Sequence, residues 1–263
     1  MTLKVPILRW KPVILAFILL SVIVFVYVAW QFDQGMRQSE RHTYFYTIDL
    51  SYTSTIENVT LFLPVPELNS APLLITSLLN GTAYGVSPDW NLSVARQNGT
   101  PMLAIRAARM VPEYHGHPIA IEPGTTVLPT TLVPGHEYSG DTPVLMPVTI
   151  AVMETRASEI DTRDPVGHEP LFFPGGTFTP GSCIAPGCNG FVYDHPVPMY
   201  VSYTSESPVV ISLRVSVSGS NSIWRGGWLS NTYSDSVFVE VTHGTQGWIA
   251  GEGKLLPAEG VYY

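Results

Sequence analysis

The sequence predicts an all-β protein: a single N-terminal transmembrane helix followed by an extracytoplasmic antiparallel β-sandwich, immunoglobulin-like or jelly-roll-like, with long loops. Three observations predict it. Val13 to Trp30 is an apolar run of eighteen residues without a charged side chain. Beyond it, apolar and polar residues alternate in many short stretches, and 22 Gly and 23 Pro punctuate the chain. Alternation buries one face of a sheet, and an uncharged run of this length matches the hydrocarbon thickness of a bilayer.

Eighteen helical residues cover about 27 Å, and Pro12 stands where a first helical turn tolerates proline. Lys4, Arg9 and Lys11 precede the run and Asp33 follows it. The positive-inside bias therefore assigns residues 1–12 to a cytoplasmic tail, 13–30 to the span and the remainder to the outside of the cytoplasmic membrane. Trp10, Tyr27 and Trp30 fall near the two ends, where amphipathic rings favour the headgroup zone. A cleaved signal peptide shares the basic start and apolar core. However, the bulky Tyr27 two residues before Ala29 disfavours cleavage there, so the segment reads as a retained signal-anchor.

All 21 acidic residues lie after residue 31, against Lys254 and nine Arg, so the outer part carries a net charge of −11. A nucleic-acid partner is excluded by that sign, and the bilayer is the one partner assigned, through residues 13–30. Four Asn-X-Ser/Thr sequons begin at Asn58, Asn80, Asn91 and Asn98, half of the eight asparagines, and make these glycosylation candidates on an exported surface.

Residues 31–41 are polar and aperiodic, a tether or a fraying helical stalk between the span and a domain over 42–263. Tyr44, Tyr46, Ile48, Leu50 and Tyr52 then alternate with Thr47, Asp49 and Ser51 as a long half-buried strand, repeated by Val59, Leu61 and Leu63. Leu73 to Leu79 is a third apolar run. Trp90, Leu92 and Val94 lead through Asn98-Gly99 into Leu103, Ile105 and Ala107, a hairpin pattern. Val111 to Pro147 reads as a loop-rich excursion with only HPIAIEP extended, and Val148, Ile150 and Val152 resume the alternation. A second irregular region, 157–198, leaves open a split into two subdomains near 156–198. Strands then follow over Met199 to Thr204, Val209 to Val217, Val237 to Val241 and Gly247 to Leu256. The expectation is eight to ten strands with no helix in the domain.

Cys183 and Cys188 enclose a four-residue loop and, outside the cytosol, are expected to form a local disulfide that pins the second irregular region. Trp224, Arg225, Trp228 and Tyr233 lie between two strands. They are candidate interaction aromatics or, favoured by the two intervening glycines, rings capping the core. His115 and His117 would project to one side of an extended backbone, and with His136 they are the alternative metal ligands. Glu154, Glu159, Asp161, Asp164 and Glu169 lack an EF-hand order and read as a solvated acidic loop. No metal site or cofactor is assigned. Nucleophile-elbow, S-x-x-K, H-E-x-x-H, phosphate-loop and dinucleotide motifs are missing from the sequence, so no catalytic residue is assigned.

The basic tail, the span, the stretch TYFYTIDLSYTSTIENVTLFLPVP and the Gly/Pro-rich β region together resemble single-pass surface proteins of methanogenic archaea. That resemblance implies a place on the outer face of the cytoplasmic membrane and no reaction. The function expected is therefore a membrane-anchored cell-surface or envelope protein presenting its β domain for structural, protein or glycan interaction. The alternative is a tethered hydrolase or metal-dependent enzyme using the His115 to His136 region or the loop from His168 to His195.

Overall fold

The computed structural model describes residues 10–81, 83–97, 99–118, 138–181 and 192–258. Helix α1 (Trp10–Gln38) contains the whole apolar run and continues two turns beyond it. Of the two forms expected for residues 31–41, a tether or a helical stalk, the structure has the stalk through Gln38, with Arg37 Nε donating to Asp33 Oδ2 at 2.8 Å one turn back. The Ser39 amide closes the helix on the carbonyls of Gly35 and Met36, and β1 begins at Arg41. Only Ser39 and Glu40 separate helix from sheet.

In chain order the elements that follow are β1 (Arg41–Tyr52), β2 (Ile56–Pro64), β3 (Glu67–Leu68), β4 (Ala71–Pro72), α2 (Ile75–Leu79), β5 (Asn91–Gln97) and β6 (Thr100–Met110). Next come β7 (Glu113–Pro118), β8 (Tyr138–Met146), β9 (Val148–Arg156), β10 (Thr179–Gly181), β11 (Val192–Thr204), β12 (Val210–Trp224), β13 (Trp228–Thr242) and β14 (Gly247–Leu256). Ten strands join one antiparallel sheet in the order β5-β6-β2-β11-β14-β13-β12-β1-β9, with β10 attached to β11. Period two holds along it: Tyr44, Tyr46, Ile48, Leu50 and Tyr52 are buried, as are Ile211, Leu213, Val215 and Val217 across the ladder.

The sheet is curled, so that its inner face closes on one core. Tyr46 of β1 donates its hydroxyl to the Pro64 carbonyl of β2 at 2.8 Å, although four strands separate the two along the sheet. The segment leading into edge strand β5 also pairs with the opposite edge strand β9, through a two-way bridge between Tyr84 and Ala151. Gly85 is required there, since its φ is +81° and a Cβ would lie 1.9 Å from the Thr149 carbonyl oxygen. A cavity of about 750 Å³ remains along this seam.

Three stretches depart from the sequence expectation. Within Leu73 to Leu79, Ile75–Leu79 folds as the single turn α2 after its cap residue Leu74, and Leu74, Ile75 and Leu78 bury at helical rather than alternating spacing. Strands β7 and β8 pair within the excursion predicted as mostly loop. Strand β11 begins seven residues before Met199 and runs through Pro196 and Pro198. Both prolines sit where β11 has β14 on one flank but neither β10 nor β2 on the other, so their missing N–H groups break no ladder there.

Candidate functional site

The helix-side end of the curled sheet concentrates the buried polar chemistry. Among the described residues the buried polar or charged side chains are His42, Glu67, Thr162, Glu169, His195, Asn221, Asn231 and Asp235. All eight belong to this end or to the segment over 157–178 that folds into it. That segment inserts Ile160, Leu171 and Phe172, each at most 3% exposed, and its backbone polar groups need partners in the interior. Asn221 supplies two of them, accepting from the Ile160 amide at 3.0 Å and donating to the Ile160 carbonyl at 2.7 Å. It also bonds His42 Nδ1 at 2.8 Å and the Asn231 side chain. Tyr44 donates to one oxygen of Glu169, whose other oxygen accepts the Asp161 amide at 2.6 Å. Tyr233 donates to the Pro170 carbonyl at 2.9 Å. Tyr44, Gly219 and Tyr233 stand in one row across β1, β12 and β13, and a Cβ on Gly219 would lie 2.3 Å from the Tyr233 ring.

One pair in this layer has the form of a base and its orienter. His195 Nε2 lies 2.8 Å from Asp235 Oδ1, and Asp235 Oδ2 accepts the Phe172 amide at 2.8 Å. Gly253 makes room for the imidazole, since a Cβ there would approach Nε2 to 2.6 Å, and Phe178 packs on the ring with centroids 4.7 Å apart. Burial pushes the Asp235 carboxyl above the ordinary aspartate value, opposed by His195 and the Phe172 amide. Both side chains are sealed from solvent, and the second imidazole nitrogen, Nδ1, is buried with no hydrogen-bond partner among the described residues. A nucleophilic triad needs a hydroxyl or thiol on that nitrogen, and none of the described residues provides one. The pair's visible work is to lock Phe172, and with it the inserted segment, onto β11 and β13.

The outer face carries a different feature. Phe62, Tyr200 and Trp248 occupy neighbouring register positions on β2, β11 and β14, and their rings form one cluster. Centroid separations are 5.2 Å for Phe62 and Tyr200, 5.4 Å for Tyr200 and Trp248, and 6.2 Å for the nearly parallel Phe62 and Trp248. Trp248 is half exposed. Beside it, Gln246 donates to the Tyr203 carbonyl at 2.6 Å. Flat π faces next to polar amides suit stacking on a sugar ring or on a partner's side chain.

The residues singled out in the sequence are placed unevenly. Trp224 and Trp228 face each other as the last pair of the β12–β13 hairpin, both exposed, with Arg225 at the tip. They do not cap the core as the two glycines suggested, because Gly226 (φ +80°) and Gly227 close a tight turn that carries the tip past the interior. Tyr233 is fully buried and so is not available as an interaction aromatic. Asn58 is a bulge residue with φ +51°, exposed, its amide on Thr204 Oγ1 at 3.2 Å. Asn80 closes α2, and Asn91 opens β5 facing solvent. Asn98, Cys183, Cys188 and His136 lie outside the described residues, while His115 and His117 fall on β7. Among the described residues no group of three or more His, Cys, Asp or Glu is placed to hold a metal ion. The acidic run is dispersed, with Glu169 buried on Tyr44 and Asp161 turned back to the amides of Arg163 and Asp164.

Reasoning from the sequence missed the outer aromatic cluster and the His195–Asp235 pair. Each had a signal. Phe62 and Tyr200 hold outward positions between Leu61 and Leu63 and between Met199 and Val201, and Asp235 shares the inward parity of Val237, Val239 and Val241. No protein-family model, curated protein or solved structure matches the chain.

Proposed function

We propose that the chain is a single-pass envelope protein, N-terminus inside and β domain outside, whose outer β face engages a surface protein or glycan. The observation that carries this is α1, a 29-residue helix whose apolar run is exposed all round and which continues into β1 after two residues. An apolar helix without a buried face is stable where its surroundings are themselves apolar. The basic tail sets the orientation, and an outside location would make the sequons at Asn58, Asn80, Asn91 and Asn98 available as glycan acceptors and favour oxidation of Cys183 and Cys188. The bond from Tyr46 of β1 to Pro64 of β2 across the core supports reading the curled sheet as a sandwich.

The Phe62–Tyr200–Trp248 cluster is the contact surface of this reading. Full-length protein in detergent micelles is tested for retention of cell-envelope polysaccharide and surface-protein fractions. Trp248→Ala is expected to lower retention by roughly tenfold, the effect of a lost stacking contact, with circular dichroism unchanged. Equal retention by the wild type and the variant overturns the assignment.

A further inference from the structure

The β12–β13 hairpin tip packs along the last turns of α1, from Ser39, about 14 Å along the axis beyond Trp30, back to Phe32 near the end of the apolar run. Trp224 packs edge-on against Phe32 with centroids 5.7 Å apart, and its amide donates to Ser39 Oγ at 2.8 Å. Phe32 is two residues beyond Trp30, about 3 Å along a helix axis. On the tip's other strand, Trp228 is 59% exposed with the Arg41 guanidinium 5.8 Å from its ring centroid, and Leu229 is 40% exposed. These side chains have no core to enter. They combine what an interfacial anchor contains: two indoles, an aliphatic residue, and guanidinium groups on Arg41 and Arg225 able to meet headgroup phosphates. They also form a local basic, aromatic point on a domain whose net charge is strongly negative.

We propose that the tip formed by Trp224, Arg225, Trp228 and Leu229 inserts into the headgroup zone of the leaflet that α1 leaves at Trp30. The domain then touches the bilayer at two points, the helix and the hairpin, which fixes its tilt and turns the Phe62–Tyr200–Trp248 face in a constant direction. This inference rests on the reading of α1 as a membrane span.

The test is spin-label depth measurement on the full chain in phosphatidylcholine bilayers, with Cys183 and Cys188 replaced by Ser. Single labels are placed by Arg225→Cys, Gly227→Cys, Val22→Cys in mid-helix and Phe238→Cys on the exposed face of β13. Gly227 has nothing within 4 Å of an added Cβ, so its label perturbs little and checks the one at Arg225. Both tip labels are expected to lose collisions with a water-soluble nickel chelate and to gain collisions with oxygen, relative to Phe238→Cys, without reaching the level of Val22→Cys. A Val22 label in hydrocarbon with both tip labels as wet as Phe238→Cys overturns the anchor alone. A Val22 label in water overturns the membrane span and the anchor with it.

Discussion

The two most apolar parts of the chain are made of the same residue types and meet opposite fates. Along α1, the large apolar side chains from Val13 to Trp30 are 52–71% exposed. Inside the curled sheet, Ile48, Leu61, Leu213 and Val215 are at most 1% exposed. Period separates them: alternation leaves a polar face toward water, as with Ser212, Arg214 and Ser216 opposite Leu213 and Val215, while an unbroken run leaves none. A sheet of alternating residues makes its own apolar interior, whereas α1 has none among the described residues and, in the reading proposed above, finds one in the bilayer. The difference teaches that hydrophobicity is a statement about partners, and that this chain needs two kinds.

Breaking the borrowed half has the largest expected effect. Leu19→Arg with Ile23→Arg costs roughly 3 kcal/mol per charge at mid-helix, enough to move the protein out of the membrane fraction. Thermal unfolding of the domain, followed by near-ultraviolet circular dichroism, is expected to stay unchanged. Within the sheet, Asp235→Ala strips the buried His195 of its partner and frees the Phe172 amide, a loss of about 3–5 kcal/mol read as a lower urea midpoint. Leu213→Ala is expected to cost about 2–5 kcal/mol by the same measurement, while Leu19→Ala leaves the midpoint where it was.

Alkaline titration sharpens the comparison without mutation. Burial pushes the Tyr44, Tyr46, Tyr52 and Tyr233 hydroxyls above the ordinary tyrosine value, Glu169 adding to the effect at Tyr44. The unfolded chain ionises its tyrosines near pH 10 while the folded one resists, so this stability is complete below about pH 10 and is lost as pH rises beyond it. Urea midpoints across that range are expected to fall, and Tyr46→Phe to flatten the fall. The smallest effect is at the outer face, where Trp248→Ala is expected to change stability by less than about 1 kcal/mol while weakening envelope binding.

Local pattern made much of this fold legible in advance. The alternation at Tyr44–Tyr52 and Val209–Val217 identifies strands and their inward faces, and Gly99, with φ +88°, lies in the turn of the β5–β6 hairpin. What stayed hidden depends on tertiary register. Nothing local says that Tyr84 bridges β9, or that Phe62, Tyr200 and Trp248 converge from three strands. Pro196 and Pro198 fall in the region read as irregular, and β11 accepts them where neither β10 nor β2 pairs with it. The polar layer was obscured for the same reason, since Asn221, Glu169 and Asp235 read as ordinary polar positions until the segment over 157–178 folds onto them.

If α1 crosses the membrane and holds the β domain outside, protease added to intact cells making the full-length protein with a C-terminal epitope reaches that epitope. Loss of the epitope from intact cells is expected, with a fragment containing α1 kept in the membrane. An epitope that survives until the cells are permeabilised contradicts that placement.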